Sequence, residues 1–312
     1  MLYAFRRILM AIPTLLVVAV IVFTLMRLIP GDPAQLLVGD MDDLETIARV
    51  RKELGLDQPL LVQFGIWILN LLQGDFGNSM RNGEPILPTI LYRFSVTAAF
   101  AGTALLLAAL IAVPMGVVAA WRARTSLDYA LRLTAMLLVS MPTFWVGLIL
   151  ILIFGISLRW LPVVGYVSLG DDFVRGVLYM LMPVAALVVG ELASIMRMAR
   201  SSAIEVLQLD YIAHARAKGL SERRVLLRHV LPNSLAPTLT LIGITLGNSL
   251  GGAAVTETVF SIPGLGRYLV DAIYARDYLV VQGCLMFVSF IFIVVNLLVD
   301  LCYPLLDPRV KL

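Results

Sequence analysis

Few residues in this 312-residue chain are placed to do reactive chemistry. Its two histidines, His214 and His229, share one polar loop without a metal-ligand spacing, and no hydroxyl or thiol is accompanied by the base a nucleophile needs. Cys284 and Cys302 lie 18 residues apart on one apolar run, about 27 Å along a helix and far outside disulfide reach. No G-x-x-x-x-G-K-S/T segment exists to cradle a nucleotide phosphate. What remains is the chemistry of contact, concentrated in Asp210-Tyr211-Ile212-Ala213-His214-Ala215-Arg216-Ala217-Lys218-Gly219. Alanines at 213, 215 and 217 make a helix thin enough to enter a groove on another protein, while Arg216 and Lys218 supply charge to orient it. Gly219 can take the left-handed conformation that ends a helix, Ser221 can cap the next, and Pro232 marks the start of an apolar helix.

A second group of polar and small residues lies in or beside apolar runs. Glu191 is the one ionisable residue inside such a run, and a charge there needs a partner or water; Arg197 or Arg200 is the expected ion-pair partner. Gly243, Gly247 and Gly251 recur every four residues, a stripe that permits close helix approach either within the subunit or across a dimer axis. Asn248 adjoins that stripe, and Asn296 and Asp300 share one face near the inner end of the last run. Between the last two runs, Glu257 precedes Pro263-Gly264-Leu265-Gly266-Arg267, which reads as a re-entrant turn and short helix at a pathway mouth. Pro114, Pro142 and Pro183 are expected to kink three helices.

The elements that must position these residues follow from composition. With 60% hydrophobic and only 14% charged residues, the chain cannot cover the surface of a water-soluble globule. Six stretches are long and apolar enough to cross a bilayer: Ile8–Met26, Phe94–Trp121, Leu133–Leu158, Gly176–Met196, Leu235–Thr256 and Tyr278–Val299. The first is read as a retained anchor, because it ends at Arg27 to Pro30 without a small-x-small cleavage site. A seventh run, Leu60–Leu72, is too short to cross and reads as an amphipathic helix at the interface or packed on the bundle. With the N-terminus inside, 14 Lys and Arg lie on the cytoplasmic side, including Arg6, Arg7, Arg122, Arg124, Arg216 and Lys218, against 5 outside, five more in the long segment Pro30–Ser95 being discounted because long loops translocate largely regardless of charge. Both termini are therefore expected in the cytoplasm. The expected organisation is a first segment and span (1–29), an extracytoplasmic helical loop (30–93) and a five-span core (94–312) containing the cytoplasmic loop 197–232. The loop 30–93 reads as a turn at Pro30-Gly31-Asp32-Pro33, a helix started by Asp42 and Glu45 and stopped at Gly55, then Pro59 and the apolar run to Gly74. A net charge of +3 without a dense basic run gives no support to nucleic-acid binding.

The cytoplasmic loop resembles a known family. Gly219, followed after nine residues by a position and then x-Leu231-Pro232, reproduces the spacing of the EAA-x3-G-x9-I-x-LP motif of ATP-binding-cassette importer permeases. Ala215, Gly219, Leu231 and Pro232 match; Ala213 stands in place of the Glu, His214 of the first Ala and His229 of the Ile. Asp210-Tyr211 with Ala215-Arg216-Ala217-Lys218-Gly219 is similar to the variant in dipeptide, oligopeptide, glutathione and nickel permeases. The likeness extends through Leu54-Gly55-Leu56-Asp57-Gln58-Pro59, Gly74-Asp75-Phe76-Gly77, Ser140-Met141-Pro142, Thr256-Glu257, Arg276-Asp277-Tyr278 and Asn296 to Asp300, and on to Asp307-Pro308-Arg309.

The resemblance implies an all-α membrane protein with the type I ABC importer permease fold, six spans, and residence in a bacterial cytoplasmic (inner) membrane. It implies a heterodimer with a second homologous permease, two ATP-binding cassette ATPase subunits that bind the ATP and Mg, and an extracytoplasmic solute-binding protein; this chain itself holds no cofactor or metal. Asp210 to Gly219 would be the segment that couples to the ATPases. Short peptides are the expected cargo, with a nickel complex as the alternative. An ion-coupled secondary transporter would call for internal repeats or several membrane carboxylates, which are not evident.

Overall fold

A computed structural model describes residues 2–28, 48–49, 51–52 and 56–306. The Pro30 to Pro33 turn, the Asp42 to Gly55 helix boundaries, the surroundings of Gly251, the Cys302 side chain and the Asp307-Pro308-Arg309 end lie outside what is described. The described chain is helical: α1 (Leu2–Leu28), α2 (Leu60–Leu72), α3 (Ile86–Trp121), α4 (Ser126–Val139), α5 (Thr143–Leu150, continued by a π turn Ile151–Ser157) and α6 (Phe173–Leu207). There follow α7 (Asp210–Ala217), α8 (Glu222–Val225), a π turn Leu226–Val230, α9 (Leu231–Gly252), α10 (Ala254–Val259), α11 (Leu265–Tyr274) and α12 (Tyr278–Leu306). Among the described residues five helices are long and apolar enough to cross a bilayer, and α4 with α5 makes a sixth candidate bent by 90°.

α3 and α6 form the spine because small residues line their contact. Ala101, Ala104, Ala108 and Ala112 are buried on one face of α3, and a Cβ at Gly116 would come within 2.6 Å of the Met196 carbonyl of α6. With no methyl groups in the way, the backbones meet and the flanking Leu and Met side chains interlock. The outward faces carry exposed Leu, Ile and Val, including Leu106, Leu110, Leu133 and Leu152, as a lipid-facing surface requires.

Several boundaries differ from the sequence expectation. The stretch Leu133–Leu158 is not one helix: Pro142 lacks an N–H and disfavours helix in the preceding residue, so the chain breaks after α4. Pro114 and Pro183, expected to kink their helices, sit inside α3 and α6 without interrupting either. The connection read as 197–232 is largely helical, because α6 continues to Leu207, α7 spans Asp210–Ala217 and α8 begins at Glu222. Pro232 falls in the first turn of α9, as a helix-start proline does, directly after the π turn Leu226–Val230. In α2 no residue is buried, yet Phe64 and Trp67 meet Phe23 of α1 with ring centroids 5.3 and 5.8 Å away. The helix is pinned along one aromatic edge and leaves Leu61, Leu69 and Leu72 exposed.

Candidate functional site

α7 lies across the C-terminal end of α3 and the C-terminal part of α6. Ile212 is fully buried and Ala215 nearly so, packed with Val117 and Ala120 of α3, Ala203 and Val206 of α6, and Val225 and Val230 beyond the turn. These two residues, three apart, define the inner face of one helix turn. Asp210, Tyr211, Ala213, His214, Arg216, Ala217 and Lys218 are exposed. Ala215 is thus an anchor to the protein's own body, and Ala213 with Ala217 supplies the small outward surface. Gly219 has φ +80°, and no atom lies within 4 Å of where its Cβ would be. Its requirement is conformational rather than spatial. The Gly219 N–H bonds the Arg216 carbonyl at 2.9 Å and the Leu220 N–H the Ala215 carbonyl at 3.3 Å, closing the helix end. Ser221 occupies the following cap position without a side-chain bond. Arg216 instead grips Glu222 through Nε (2.8 Å) and Nη2 (3.2 Å), and the Trp121 indole N–H donates to the same carboxylate at 3.2 Å.

A second device in this region was not anticipated. Asp128, fully buried at the start of α4, accepts Nε and Nη2 of Arg200 at 2.8 Å each and the Arg124 backbone N–H at 3.0 Å. Arg132 approaches the same carboxylate at 3.3 Å. The Asp128 and Arg132 spacing of four on a helix was visible in the sequence; the dominant partner, 72 residues away, was not.

At the opposite end, the residues read as a pathway turn form a closed polar knot. Glu257 on α10 is fully buried. Its Oε1 accepts the Thr97 hydroxyl and its Oε2 the Arg267 backbone N–H, both at 2.6 Å, while the Leu265 N–H donates to Thr97 Oγ1 at 2.8 Å. A carboxylate therefore receives the unsatisfied N–H groups that open α11, where the helix dipole favours negative charge. Burial pushes the Glu257 carboxyl upward, and the Thr97 and backbone donors pull it back. The glycines follow from this geometry: a Cβ on Gly264 would overlap the Glu257 carboxyl group, and one on Gly266 would lie 2.8 Å from the Ala254 backbone. Pro263 sits in the turn between α10 and α11, and the Arg267 side chain turns outward to Asp271 at 3.7 Å. A sister knot holds the start of α12, where Asp277 accepts the Ser79 hydroxyl at 2.5 Å and the Met80 N–H at 3.3 Å. It ties Asp277 of the Arg276 to Tyr278 motif to the segment that follows the Gly74 to Gly77 motif.

Residues 112–312 match the binding-protein-dependent transport system inner membrane component family, and residues 1–101 match the N-terminal region described for such membrane components. The chain belongs to this family. The dipeptide transport system permease protein DppB of Alkalihalophilus pseudofirmus is 38% identical over 329 residues, covering 99% of both chains. The glutathione transport system permease protein GsiC of Salmonella typhimurium is 44% identical over 313 residues, covering 99% of this chain and 98% of its own. Among solved structures, a chain of the inward-facing methionine ABC transporter MetNI matches with TM-score 0.59 and 17% identity, covering 72% of this chain and 99% of that one, which is a likeness of fold. The protein is thus an inner membrane permease component, and its task is passage rather than catalysis.

Within this permease, the intramembrane residues divide into packing and open positions. A Cβ at Gly243 would overlap Val299, and one at Gly247 would lie 2.6 Å from Phe292. Gly243 and Gly247 therefore receive α12 of the same chain, and Gly251 continues the same helix. Asn248, next to Gly247, is exposed, and Asn296 and Asp300 are half-buried on α12. Glu191 does not pair with Arg197 or Arg200. Arg200 is committed to Asp128, and Glu191 instead accepts the Ser249 hydroxyl of α9 at 3.1 Å. Nor does it mark a helix end, since α6 continues for sixteen residues beyond it to Leu207. Among the described residues no three His, Cys, Asp or Glu side chains converge as metal ligands.

Proposed function

We propose that the chain forms half of the translocation pathway of an ATP-driven importer for short peptides. In this reading it crosses the membrane six times, with α4 and α5 as a broken third span and both termini in the cytoplasm. It pairs with a homologous permease, and α7 seats in a groove of an ATPase subunit that binds ATP and Mg. A solute-binding protein delivers cargo to the outer face. The observation that carries the coupling role is the two-sidedness of α7: Ile212 and Ala215 fix it to the spine while Ala213, Ala217 and Lys218 face outward. A push on that outer face is transmitted directly to α3 and α6. The peptide assignment rests on the dipeptide and glutathione permeases at 38% and 44% identity.

The test is Ala213→Trp in the assembled importer, followed by ATP-dependent uptake of labelled dialanine, glutathione and a nickel chelate. The expected result is loss of peptide uptake with membrane insertion intact. Uptake at the wild-type rate overturns the coupling role, and transport of the nickel chelate alone overturns the peptide assignment.

A further inference from the structure

We propose that Glu191 is a binding site for the α-ammonium group of the transported peptide, an inference that rests on the peptide-import reading above and names the contact made inside the pathway. Glu191 opens into a cavity of about 340 Å³ lined by Thr143, Leu187, Asn248, Ser249 and Thr256 among others. That volume falls in the roughly 300–1,000 Å³ range of small-molecule sites.

Three features distinguish this cavity from a packing defect. First, it gathers polar groups from four helices into an otherwise apolar layer: Thr143 from α5, Glu191 from α6, Asn248 and Ser249 from α9, and Thr256 from α10. Second, it sits where two helices are interrupted, at Pro142 before α5 and at Ala253 between α9 and α10. Interrupted backbone at membrane depth persists where protein or a water-filled cavity surrounds it. Third, its carboxylate has no cation. Among the described residues no Lys, Arg or His lines the cavity, and the Glu191 carboxyl accepts a hydrogen bond from Ser249. An intramembrane carboxylate normally faces a partner or a pathway. Here the partner's place is open, and Asn248 stands exposed beside it with a carbonyl and an amide to offer. A peptide's α-ammonium group has the charge, size and three donors to satisfy Glu191 and its polar neighbours together. The arrangement is silent on side chains, as a pathway for many short peptides requires.

The experiment uses the detergent-solubilised importer without its binding protein, so that the binding protein's own selectivity does not enter. Equilibrium dialysis with radiolabelled dialanine and N-acetyl-dialanine reads the site. Wild type is expected to bind dialanine at least about tenfold more tightly than the acetylated probe, the equivalent of one charge-assisted hydrogen bond. Glu191→Gln is expected to erase that preference by weakening dialanine alone. Equal binding of both probes by wild type overturns the proposal without recourse to any variant. So does a Glu191→Gln importer that keeps the preference, or loses both probes equally. ATP-driven dialanine uptake by the wild-type importer with its binding protein reports separately on peptide import: an importer that moves dialanine yet shows no probe preference sinks only the ammonium site.

Discussion

The carboxylates of this permease differ in what holds them, and the differences predict how each responds to substitution. Asp128 is enclosed by Arg200, Arg132 and a backbone N–H, whereas Arg132 itself keeps 38% of its side-chain surface. Removing Asp128 leaves Arg200 without its bidentate partner, and because Arg200 retains 21% exposure the cost falls below the roughly 3–5 kcal/mol of a fully enclosed pair. Asp128→Asn is expected to destabilise by about 1–3 kcal/mol, read as a lower midpoint in thermal unfolding of the solubilised complex. Arg132→Gln is expected to cost under about 1 kcal/mol, as exposed pairs do. Equal shifts for the two variants would refute the assignment of Arg200 as the main partner. The Arg200 partnership was not legible in the sequence, since a charge partner 72 residues away has no local signature. The conformational demand at Gly219, by contrast, was read directly from its place after Lys218, because only the helix end need be inferred. Glu191 failed for the opposite reason: proximity along the chain suggested Arg200, and a stronger acceptor across the bundle had taken it.

At the scale of elements, the legible features were those with a period. The apolar runs gave α1, α3, α6 and α12, and the buried alanines of α3 recur at helical spacing. Boundaries were less legible, because α6 and the helix that begins at Glu222 extend past the apolar runs with polar residues, where no apolar pattern marks them. The orientation of α7 depends on the one backbone reversal at its end, where Gly219 sits at φ +80° with open space around its Cβ position. Substitution there acts through backbone strain of about 1 kcal/mol or more. Asn tolerates the left-handed region better than other residues with a side chain. Gly219→Asn is accordingly expected to keep more transport per ATP hydrolysed than Gly219→Val, with both variants inserted at wild-type levels. A steric requirement in a partner's groove would instead rank the variants by size, and equal losses for these two near-isosteric side chains would remove the conformational explanation.

At the scale of the whole molecule, the charge distribution fixes a direction that the coordinates alone do not carry. The knots at Glu257 and Asp277 lie at one end of the bundle, and α7 with the Asp128 clamp lies at the other. The positive-inside bias, 14 Lys and Arg against 5 once the long segment Pro30–Ser95 is set aside, is the basis for proposing the α7 end as the cytoplasmic one. The assignment can be tested with single cysteines. Cys284 is fully buried, and Cys302 is replaced by Ser to give a silent background. In that background Lys218→Cys is expected to react with a membrane-impermeant maleimide only in inverted vesicles, because Lys218 is exposed beside the outer face of α7. Gly170→Cys, exposed in the connection between α5 and α6, is expected to react only in right-side-out preparations. The two sites sit at opposite ends of α6, so labelling of both from one side would contradict the crossing of that helix. Labelling with the two sides exchanged would invert the permease and move α7 away from any cytoplasmic ATPase. The experiment therefore decides whether the basic end of the bundle and the ATPase-facing end are the same end, on which the coupling reading of α7 depends.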